Sequence, residues 1–467
     1  MVLFYNMVKC KNSNNCYFIF QGEGFFKAKG VFSRASSDDQ EKNKWIKTKA
    51  VGKSFFQQLG PGLITGASDD DPSGIVTYSK AGAQFGYGML WTMLFSYPLM
   101  SVVQEISARV GRVTGQGIAG NIRHYYNPWL LYTLVPLLFL ANVITLGADI
   151  SAMGATLQLV IGGSLLLYVL IFSVISLILQ ILVPYTRYVK YLKWLTLALF
   201  SYIATVFVVH VPWSQAIRAT FLPSLSFESG DLTMFIAVLG TTISPYLFFW
   251  QASQEVEEVK NTPGDRPLKK DPRQAPEQLD RIRFDTYIGM AVSNGVGYFI
   301  MLTAAVSLHS QGQTNVETAT QAAQALEPVA GRFAFLLFAA GIIGTGLLAV
   351  PVLAGSAAYA VGEALKWPVG LERKPLEAKG FYGVLTVATL LGLAMNFFRI
   401  NPIKALVWAA VINGIIAVPI MIVMMFMASD PKVMGKFTLS LPLKILGWIT
   451  TLIMLAATLG LWTTWGR

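Results

Sequence analysis

The sequence predicts a polytopic α-helical membrane protein, from its composition and from the length of its apolar runs. Of its 467 residues, 54% are hydrophobic and only 13% are charged, whereas a soluble domain is about 25% charged. The apolar runs are about twenty residues long, which suits helices that cross a bilayer. Strands of a membrane barrel would be about ten residues long and would alternate in polarity. The sequence therefore predicts a bundle of about eleven membrane-spanning helices.

Hydropathy places these spans along the whole chain after a polar N-terminal tail. Most connections between them are short and rich in turn residues. The predicted spans are 56–80, 88–110, 128–158, 163–183, 190–211, 232–256, 284–308, 331–363, 379–396, 403–428 and 441–463.

The basic residues are distributed unevenly between the two sides of the predicted bundle. With the N-terminus in the cytoplasm, 30 of the 36 Lys and Arg residues lie on the cytoplasmic side. The positive-inside rule then predicts a cytoplasmic N-terminus and an extracellular C-terminus in the cell membrane. This distribution also accounts for the net charge of +11. Because the basic residues lie at span ends and not on one patch, they do not indicate nucleic-acid binding.

Two of the predicted spans are interrupted by polar residues. The first span contains Gly66-Ala-Ser-Asp-Asp-Asp-Pro-Ser-Gly-Ile75, and the sixth contains Gly240-Thr-Thr-Ile-Ser-Pro-Tyr-Leu247. Carboxylates are costly on a lipid-facing helix and proline removes a backbone hydrogen bond, so we expect unwound backbone that lines an enclosed cavity. A loop between two half-length spans is the alternative for the first, but neither half is long enough to cross alone.

The two interruptions occupy matching places in two five-span halves of the chain, which indicates a transporter with a binding site at the midplane of the membrane. An odd number of spans in each half makes the second repeat inverted relative to the first.

We expect the polar, basic tail to be disordered and cytoplasmic, because it lacks a signal-peptide core. The predicted divisions are 1–54 for the tail, 55–211 for the first repeat, 212–428 for the second repeat, and 429–467 for the last span and the C-terminus.

The groups at the two interruptions favour a hard cation. The first offers the Asp71 carboxylate and backbone carbonyls near Ser68, and the sixth offers the carbonyl of Thr241 and the hydroxyl of Ser244. Carboxylate, carbonyl and hydroxyl oxygens suit Mg²⁺, Mn²⁺, Ca²⁺ or Na⁺. No Met, Cys or His lies at either interruption, so the sequence offers neither a soft nor an imidazole-rich site there.

Other polar residues within the spans are candidates for an ion or proton path. Asp149 lies midway along the third span and is the expected second acidic site. Asp70 is expected either to attract cations at the mouth of the site or to cap the second half of the broken helix. Glu255 is expected in a solvated exit vestibule or at an ordinary charged helix end. The candidates for this path are Asp70, Asp149, Gln251, Glu255 and Asn413.

Several motifs resemble those of the natural resistance-associated macrophage protein (Nramp) family of divalent metal transporters. The resemblance covers 55–463, and it implies the leucine-transporter-like fold with two inverted five-helix repeats, broken helices one and six, and alternating access. The motifs that carry it are Gly60-Pro-Gly62, Asp71-Pro72, Gln104 through Arg109 to Thr114-Gly115, Gly147-Ala-Asp149 and Asn401-Pro-Ile-Lys-Ala-Leu-Val407.

The family's metal-binding motifs match only in part. Its first-helix motif Asp-Pro-Gly-Asn reads Asp71-Pro72-Ser73-Gly74 here, so Gly74 stands at the position of an asparagine ligand. Its sixth-helix motif Met-Pro-His reads Ser244-Pro245-Tyr246, so a hydroxyl replaces a thioether. The resemblance implies metal contacts at Asp71, Ser244, Thr241, Ser68 and Gly74.

The family's proton-path residues also match only in part. The aspartate of the third helix is kept as Asp149, whereas the glutamate beside it maps to Ala152. The second histidine of the sixth helix maps to Gln251, and the glutamine of the tenth helix maps to Ala410, one turn before Asn413. These differences leave open whether transport is a proton symport or a uniport driven by the membrane potential.

The differences predict a transported hard divalent ion, Mg²⁺ or Mn²⁺, in preference to Fe²⁺ or Cd²⁺. Thioether sulfur favours soft metals, and Mg²⁺ usually keeps several of its waters, so a site without the thioether suits a hydrated ion. The alternative is a small organic solute such as an amino acid on the same fold, although neighbouring carboxylates disfavour an anion. The sequence predicts no enzyme and no cofactor, because it shows no His/Cys cluster, nucleophile elbow or phosphate loop.

Overall fold

The computed structural model describes residues 8–12, 15–18, 61–183, 199–223, 229–398 and 400–464. They fall into two units, one within Met1–Gln58 and one within Leu59–Arg467. In the first unit, β1 (Val8–Asn12) and β2 (Asn15–Phe18) form an antiparallel pair. The disorder predicted for the tail, 1–54, stays a prediction, and the tail outside these two strands lies outside the described residues.

The second unit is helical throughout its described residues. Its helices are α1 (Pro61–Asp69), α2 (Pro72–Phe85), α3 (Leu90–Thr114), α4 (Ile118–Tyr125), α5 (Pro128–Ile161), α6 (Leu165–Leu182), α7 (Phe200–Val208), α8 (Trp213–Phe221), α9 (Ser229–Thr242), α10 (Pro245–Asn261), α11 (Ala275–Ser307), α12 (Ala319–Gln324), α13 (Glu327–Ala330), α14 (Ala334–Ala364), α15 (Lys379–Met395), α16 (Pro402–Ser429), α17 (Pro431–Met434) and α18 (Leu441–Thr464). Short 3₁₀ turns lie at Gly86–Met89, Pro272–Gln274, His309–Gln311, Gly331–Phe333, Asn396–Phe398 and Gly435–Phe437.

The predicted membrane bundle is confirmed. Among the described residues, 8 helical segments are long and apolar enough to cross a membrane. The first predicted span is split between α1 and α2, and the second corresponds to the 25-residue helix α3. The fifth prediction, 190–211, falls partly on residues outside the described ones, and α7 is its described part.

Five short helices were not predicted from the sequence. They are α4, α8, α12, α13 and α17, of 8, 9, 6, 4 and 4 residues. Each mixes polar and apolar residues over fewer than three turns, so none produces a hydropathy signal of membrane-spanning length. They connect spans and do not contribute to the interruptions.

The first interruption is a helix N-terminus capped by an aspartate. α1 ends at Asp69 and α2 begins at Pro72, with Asp71 in extended conformation between them. The Asp71 Oδ1 accepts a hydrogen bond of 2.7 Å from the Gly74 N–H. A carboxylate at the N-cap and proline at the first helical position are both preferred there, so the sequence Asp-Pro-Ser-Gly restarts the helix at this point.

The second interruption ends a helix through a serine hydroxyl. α9 ends at Thr242 and α10 begins at Pro245, and Ser244 between them has extended backbone. The Ser244 Oγ lies 2.6 Å from the Gly240 carbonyl oxygen and 2.8 Å from that of Thr241. The hydroxyl thus satisfies carbonyls that lose their helical partners where α9 stops.

Other helices surround both interruptions. α1 and α2 pack against α11, α9 packs against α16, and α5 packs against both α14 and α16. Two glycines near the breaks allow close approaches of these helices. A Cβ on Gly66 would lie 2.6 Å from the Gly289 carbonyl carbon, and a Cβ on Gly240 would lie 2.7 Å from the Gly414 nitrogen. The unwound backbone is therefore enclosed by protein, as the membrane requires.

We expect Gly240→Ala to lower the free energy of unfolding by about 2 kcal/mol, because the added methyl group overpacks the α9–α16 contact against backbone atoms. Thermal unfolding of the purified protein in detergent measures the change. Gly383→Ala on α15 is the matched control, since a Cβ there meets no atom within 4 Å. Equal melting temperatures for Gly240→Ala and the parent would contradict this packing.

Candidate metal site at the two helix breaks

Asp71 lies at the centre of the enclosed region between the two helix breaks. Its side chain is 3% exposed. While Oδ1 is engaged by the Gly74 N–H, Oδ2 lies 3.3 Å from the hydroxyl of Tyr246, which donates to it. One carboxylate oxygen thus fixes the start of α2, and the other faces the second helix break.

Asp149 brings a second carboxylate to the same region from α5. It is 0% exposed, and none of the described residues forms a hydrogen bond with either of its oxygens, although it interacts electrostatically with Asp71 and with the Ser73 amide. No Lys or Arg among the described residues forms an ion pair with either carboxylate. Two buried carboxylates in this situation require a cation or a proton nearby.

The predicted ligands of the sixth span lie at the facing break. Ser244 and Thr241 are 1% and 4% exposed. The Thr241 carbonyl accepts from Ser244 Oγ, as described above, while the Thr241 Oγ1 lies 3.0 Å from the hydroxyl of Tyr78. The Ser244 hydroxyl is therefore turned toward the end of α9. A bound ion would have to compete for this hydroxyl with the carbonyls of Gly240 and Thr241.

Two further predicted contacts lie on the first span. The Ser68 Oγ donates to the Ile64 carbonyl at 2.8 Å, so only its backbone carbonyl is directed at the second break, where it accepts from Tyr246 at 3.2 Å. Gly74 has no side chain and takes part through its N–H, which binds Asp71. Gly74 therefore orients the proposed ligand Asp71 through its N–H and offers no side chain to the metal ion.

Tyr246 belongs to the site although the sequence analysis did not select it. Its hydroxyl contacts both the Ser68 carbonyl and the Asp71 carboxylate. The available signal was its position directly after Pro245, where the family has a histidine.

The other two acidic residues of the first break face α11. The Ser293 Oγ lies 2.7 Å from Asp69 Oδ2 and 3.2 Å from Asp70 Oδ1, and Asp69 Oδ1 has no hydrogen-bond partner within the described part of the chain. The expectation that Asp70 caps the second half-helix is wrong, because Asp71 is the cap. The alternative for Asp70, attraction of cations, stays a prediction.

The remaining path candidates lie on different sides of the break. The Asn413 Nδ2 on α16 donates to Thr145 Oγ1 of α5 at 3.1 Å. Gln251 and Glu255 lie further along α10. Gln251 accepts from the Thr65 hydroxyl, and the Glu255 Oε2 lies 2.6 Å from Arg281 Nη2. Glu255 is 0% exposed, so neither a solvated vestibule nor an ordinary charged helix end describes it. Their place on a path stays a prediction.

Hydrogen bonds close the side of the site on which α1 and α10 lie. Besides the pairs Thr65–Gln251 and Glu255–Arg281, the Gly62 N–H donates to Asp285 Oδ2 of α11 at 2.7 Å. These contacts tie α1 and α10 to each other and to α11. The site is therefore shut off on this side.

A cavity approaches the site from the other side. Its volume is about 350 Å³, and its lining includes Val76 of α2 and Ala152 of α5, each about one helical turn beyond Asp71 or Asp149. Its mouth carries Glu317, whose carboxylate lies 3.5 Å from Lys404 Nζ. The Asn315 amide and Lys404 hold the pKa of Glu317 below its usual value, so this carboxylate is ionised at neutral pH.

The comparisons with known proteins agree with this arrangement. The family model described as natural resistance-associated macrophage protein-like (Nramp) matches residues 62–464. The chain belongs to the Nramp family. It is therefore a multi-pass membrane protein of a family of divalent metal cation transporters and not an enzyme.

Relatives of this Nramp chain include the divalent metal cation transporter MntH of Klebsiella pneumoniae (strain 342). The two are 26% identical over 419 residues, which cover 88% of this chain and 94% of that protein. A manganese transporter of Eremococcus coleocola has a similar structure, with a TM-score of 0.70, 18% identity and 87% of each chain covered. Mhp1, a nucleobase-cation-symport-1 family transporter, is similar at a TM-score of 0.54 and 13% identity, over 87% of this chain and 94% of that one. The leucine-transporter-like fold expected from the sequence is confirmed.

We expect Glu255→Gln in this Nramp chain to lower the free energy of unfolding by about 2 kcal/mol, because the substitution leaves the buried face of Arg281 with less compensating charge. Thermal unfolding measures the loss. Glu258→Gln is the matched control, because Glu258 pairs with the same Arg281 at 3.3 Å but is 31% exposed and should contribute about 1 kcal/mol or less. A loss for Glu258→Gln as large as that for Glu255→Gln would contradict the assignment.

Proposed function

We propose that this Nramp chain carries Mg²⁺ or Mn²⁺ across the membrane by alternating access and binds the ion between its two helix breaks. The observation that supports this most strongly is the buried pair of carboxylates, Asp71 and Asp149, with which no Lys or Arg of the described residues forms an ion pair. Unpaired buried carboxylates are unfavourable. A divalent ion between them would balance both charges, and the similar proteins of Klebsiella pneumoniae and Eremococcus coleocola are a divalent metal cation transporter and a manganese transporter.

The preference for a hard ion rests on the donor atoms. The proposed set comprises the carboxylates of Asp71 and Asp149 with the carbonyls of Ser68 and Thr241, and the Ser244 hydroxyl is the remaining donor. All are oxygens, which suit Mg²⁺ and Mn²⁺ better than soft metals. Because the Ser244 hydroxyl already donates to carbonyls of α9, it is not fully available to the ion. The ion would therefore retain part of its water shell.

Alternating access is supported by the unequal state of the two sides. The α1–α10 side is closed by hydrogen bonds, whereas a cavity reaches toward the site from the side of Glu317. With the orientation that the positive-inside rule predicts, we expect the closed side to face the cytoplasm and the cavity to face the outside. In this arrangement an ion enters through the cavity, and the separation of α1 from α10 releases it to the cytoplasm.

We expect Asp71→Asn to weaken the binding of Mg²⁺ and Mn²⁺ by about 100-fold, because it removes one of the charges that hold the ion. Asparagine caps helices as well as aspartate does, so the start of α2 is preserved and lost binding cannot be ascribed to a lost cap. Calorimetry on the purified protein measures the affinity.

The control for this experiment is Asp280→Ala, which removes an exposed carboxylate at the surface. The same titrations are repeated with a panel of amino acids. Unchanged metal affinity in Asp71→Asn would exclude the site proposed here. An amino acid that binds where metals do not would support the organic-solute alternative.

We expect Ser244→Met to shift the transport preference from Mg²⁺ toward Cd²⁺ and Fe²⁺ by about tenfold, because the thioether adds a soft donor at the second break. Uptake into proteoliposomes with competing ions measures this ratio. Met153→Leu is the control, since its sulfur, one turn beyond Asp149 on α5, packs against Gly346 of α14 and should leave the ratio unchanged. A folded, active Ser244→Met protein with the parent's preference would contradict Ser244 as a ligand position.

A further inference from the structure

Two buried tyrosines connect the half-helices on opposite sides of the proposed metal site. Tyr246 on α10 donates from its hydroxyl toward the Ser68 carbonyl of α1 at 3.2 Å and toward Asp71 Oδ2 at 3.3 Å. The hydroxyl of Tyr78 on α2 lies 3.0 Å from Thr241 Oγ1 of α9. Both tyrosines are 1% exposed.

The two contacts have the same relation to the repeats. In each, the tyrosine lies on the half-helix after a break, and its partner lies on the half-helix before the break of the other repeat. Tyr246 joins α10 to α1, and Tyr78 joins α2 to α9. α1 and α10 also pack directly against each other, and so do α2 and α9. One tyrosine therefore stands on the side closed by α1 and α10, and the other on the side of α2 and α9.

We propose that Tyr246 and Tyr78 are the latches of the two gates, each holding one side of the transport site closed. The proposal rests on the proposed function, because a gate has meaning only if an ion passes. For an ion to leave between α1 and α10, the Tyr246 contact has to break. On the outer side the lining of the cavity ends about one helical turn before Asp71, and the Tyr78 contact with α9 has to break for an ion to pass from the cavity to the site.

The two latches differ in how they respond to the ion. Both acceptors of the Tyr246 hydroxyl, the Ser68 carbonyl and the Asp71 carboxylate, are proposed metal ligands. A bound cation takes these lone pairs and leaves the phenol without its charged acceptor, which is the stronger of the two. The Tyr78 hydroxyl contacts a neutral hydroxyl instead. Binding of the ion therefore weakens the α1–α10 latch selectively and favours opening on that side.

Hydrogen exchange of the ion-free protein in lipid nanodiscs tests the two latches separately. Tyr246→Phe keeps the ring and removes the hydroxyl, so amide exchange should become about tenfold faster in α1 and α10 and stay unchanged in α2 and α9. Tyr78→Phe should give the mirror result, faster exchange in α2 and α9 only. Thr241→Val removes the partner hydroxyl and should reproduce Tyr78→Phe, and it tests the α2–α9 latch by itself should a tyrosine variant not fold.

The matched control is Tyr382→Phe. Tyr382 is also buried, and its hydroxyl donates to the carbonyls of Leu371 and Arg373, away from both breaks. Loss of the Tyr382 hydroxyl should leave amide exchange unchanged in all four half-helices. A general loss of stability would instead accelerate exchange in every half-helix of each variant. That uniform pattern, or a Tyr246→Phe protein that exchanges like Tyr382→Phe, would overturn the proposal.

Addition of Mn²⁺ tests the selective response. In the parent, a saturating concentration should accelerate exchange in α1, and in Tyr246→Phe it should add nothing to the already faster exchange. Protection of α1 by Mn²⁺ in the parent would overturn the ion-displaced latch. If the proposed function is wrong, calorimetry will show no divalent ion binding to the parent protein. The comparison of ion-free Tyr78→Phe and Tyr246→Phe would still decide whether each tyrosine closes its own side.

Discussion

The structure depends on one carboxylate that serves two purposes. Asp71 caps α2 through Oδ1 and presents Oδ2 to the facing helix break. The cap is what permits a helix to restart at Pro72 within a membrane, where every exposed backbone group must find a partner. Since the same side chain cannot leave without releasing the cap, its second oxygen, Oδ2, is held in a fixed position, which is the condition for a selective ion site.

The surrounding helices follow from the need to enclose this break. Four buried carboxylates, Asp69, Asp70, Asp71 and Asp149, lie in the enclosed region, and lipid could not solvate them. α11 supplies the Ser293 hydroxyl to two of them, and α5 supplies Asp149 itself. The glycine contacts between α1 and α11 and between α9 and α16 bring the backbones close enough to exclude lipid. Enclosure and negative charge thus occur together, and both favour a cation as the cargo.

The sequence predicted what is local and missed what depends on contacts between distant residues. Asp71-Pro72 and Ser244-Pro245 are readable as breaks, because proline and the capping side chain act on their own helix. The hydrogen bonds from Tyr246 join residues more than 170 positions apart, and no local pattern indicates them. Glu255 shows the same limit, since its burial is explained by Arg281 on α11 and not by its position along α10.

The two departures from the family motif on the sixth span act together in this structure. With serine in place of methionine, the hydroxyl turns back to the carbonyls of Gly240 and Thr241 and ends α9. With tyrosine in place of histidine, the longer side chain reaches across to Ser68 and Asp71. One change removes the soft donor, and the other adds a neutral group that touches the oxygens proposed to bind the ion. In the proposed mechanism, ion preference and closure of the α1–α10 side are therefore linked through two neighbouring residues of one motif, because an ion bound to the Ser68 carbonyl and Asp71 Oδ2 would displace the Tyr246 hydroxyl.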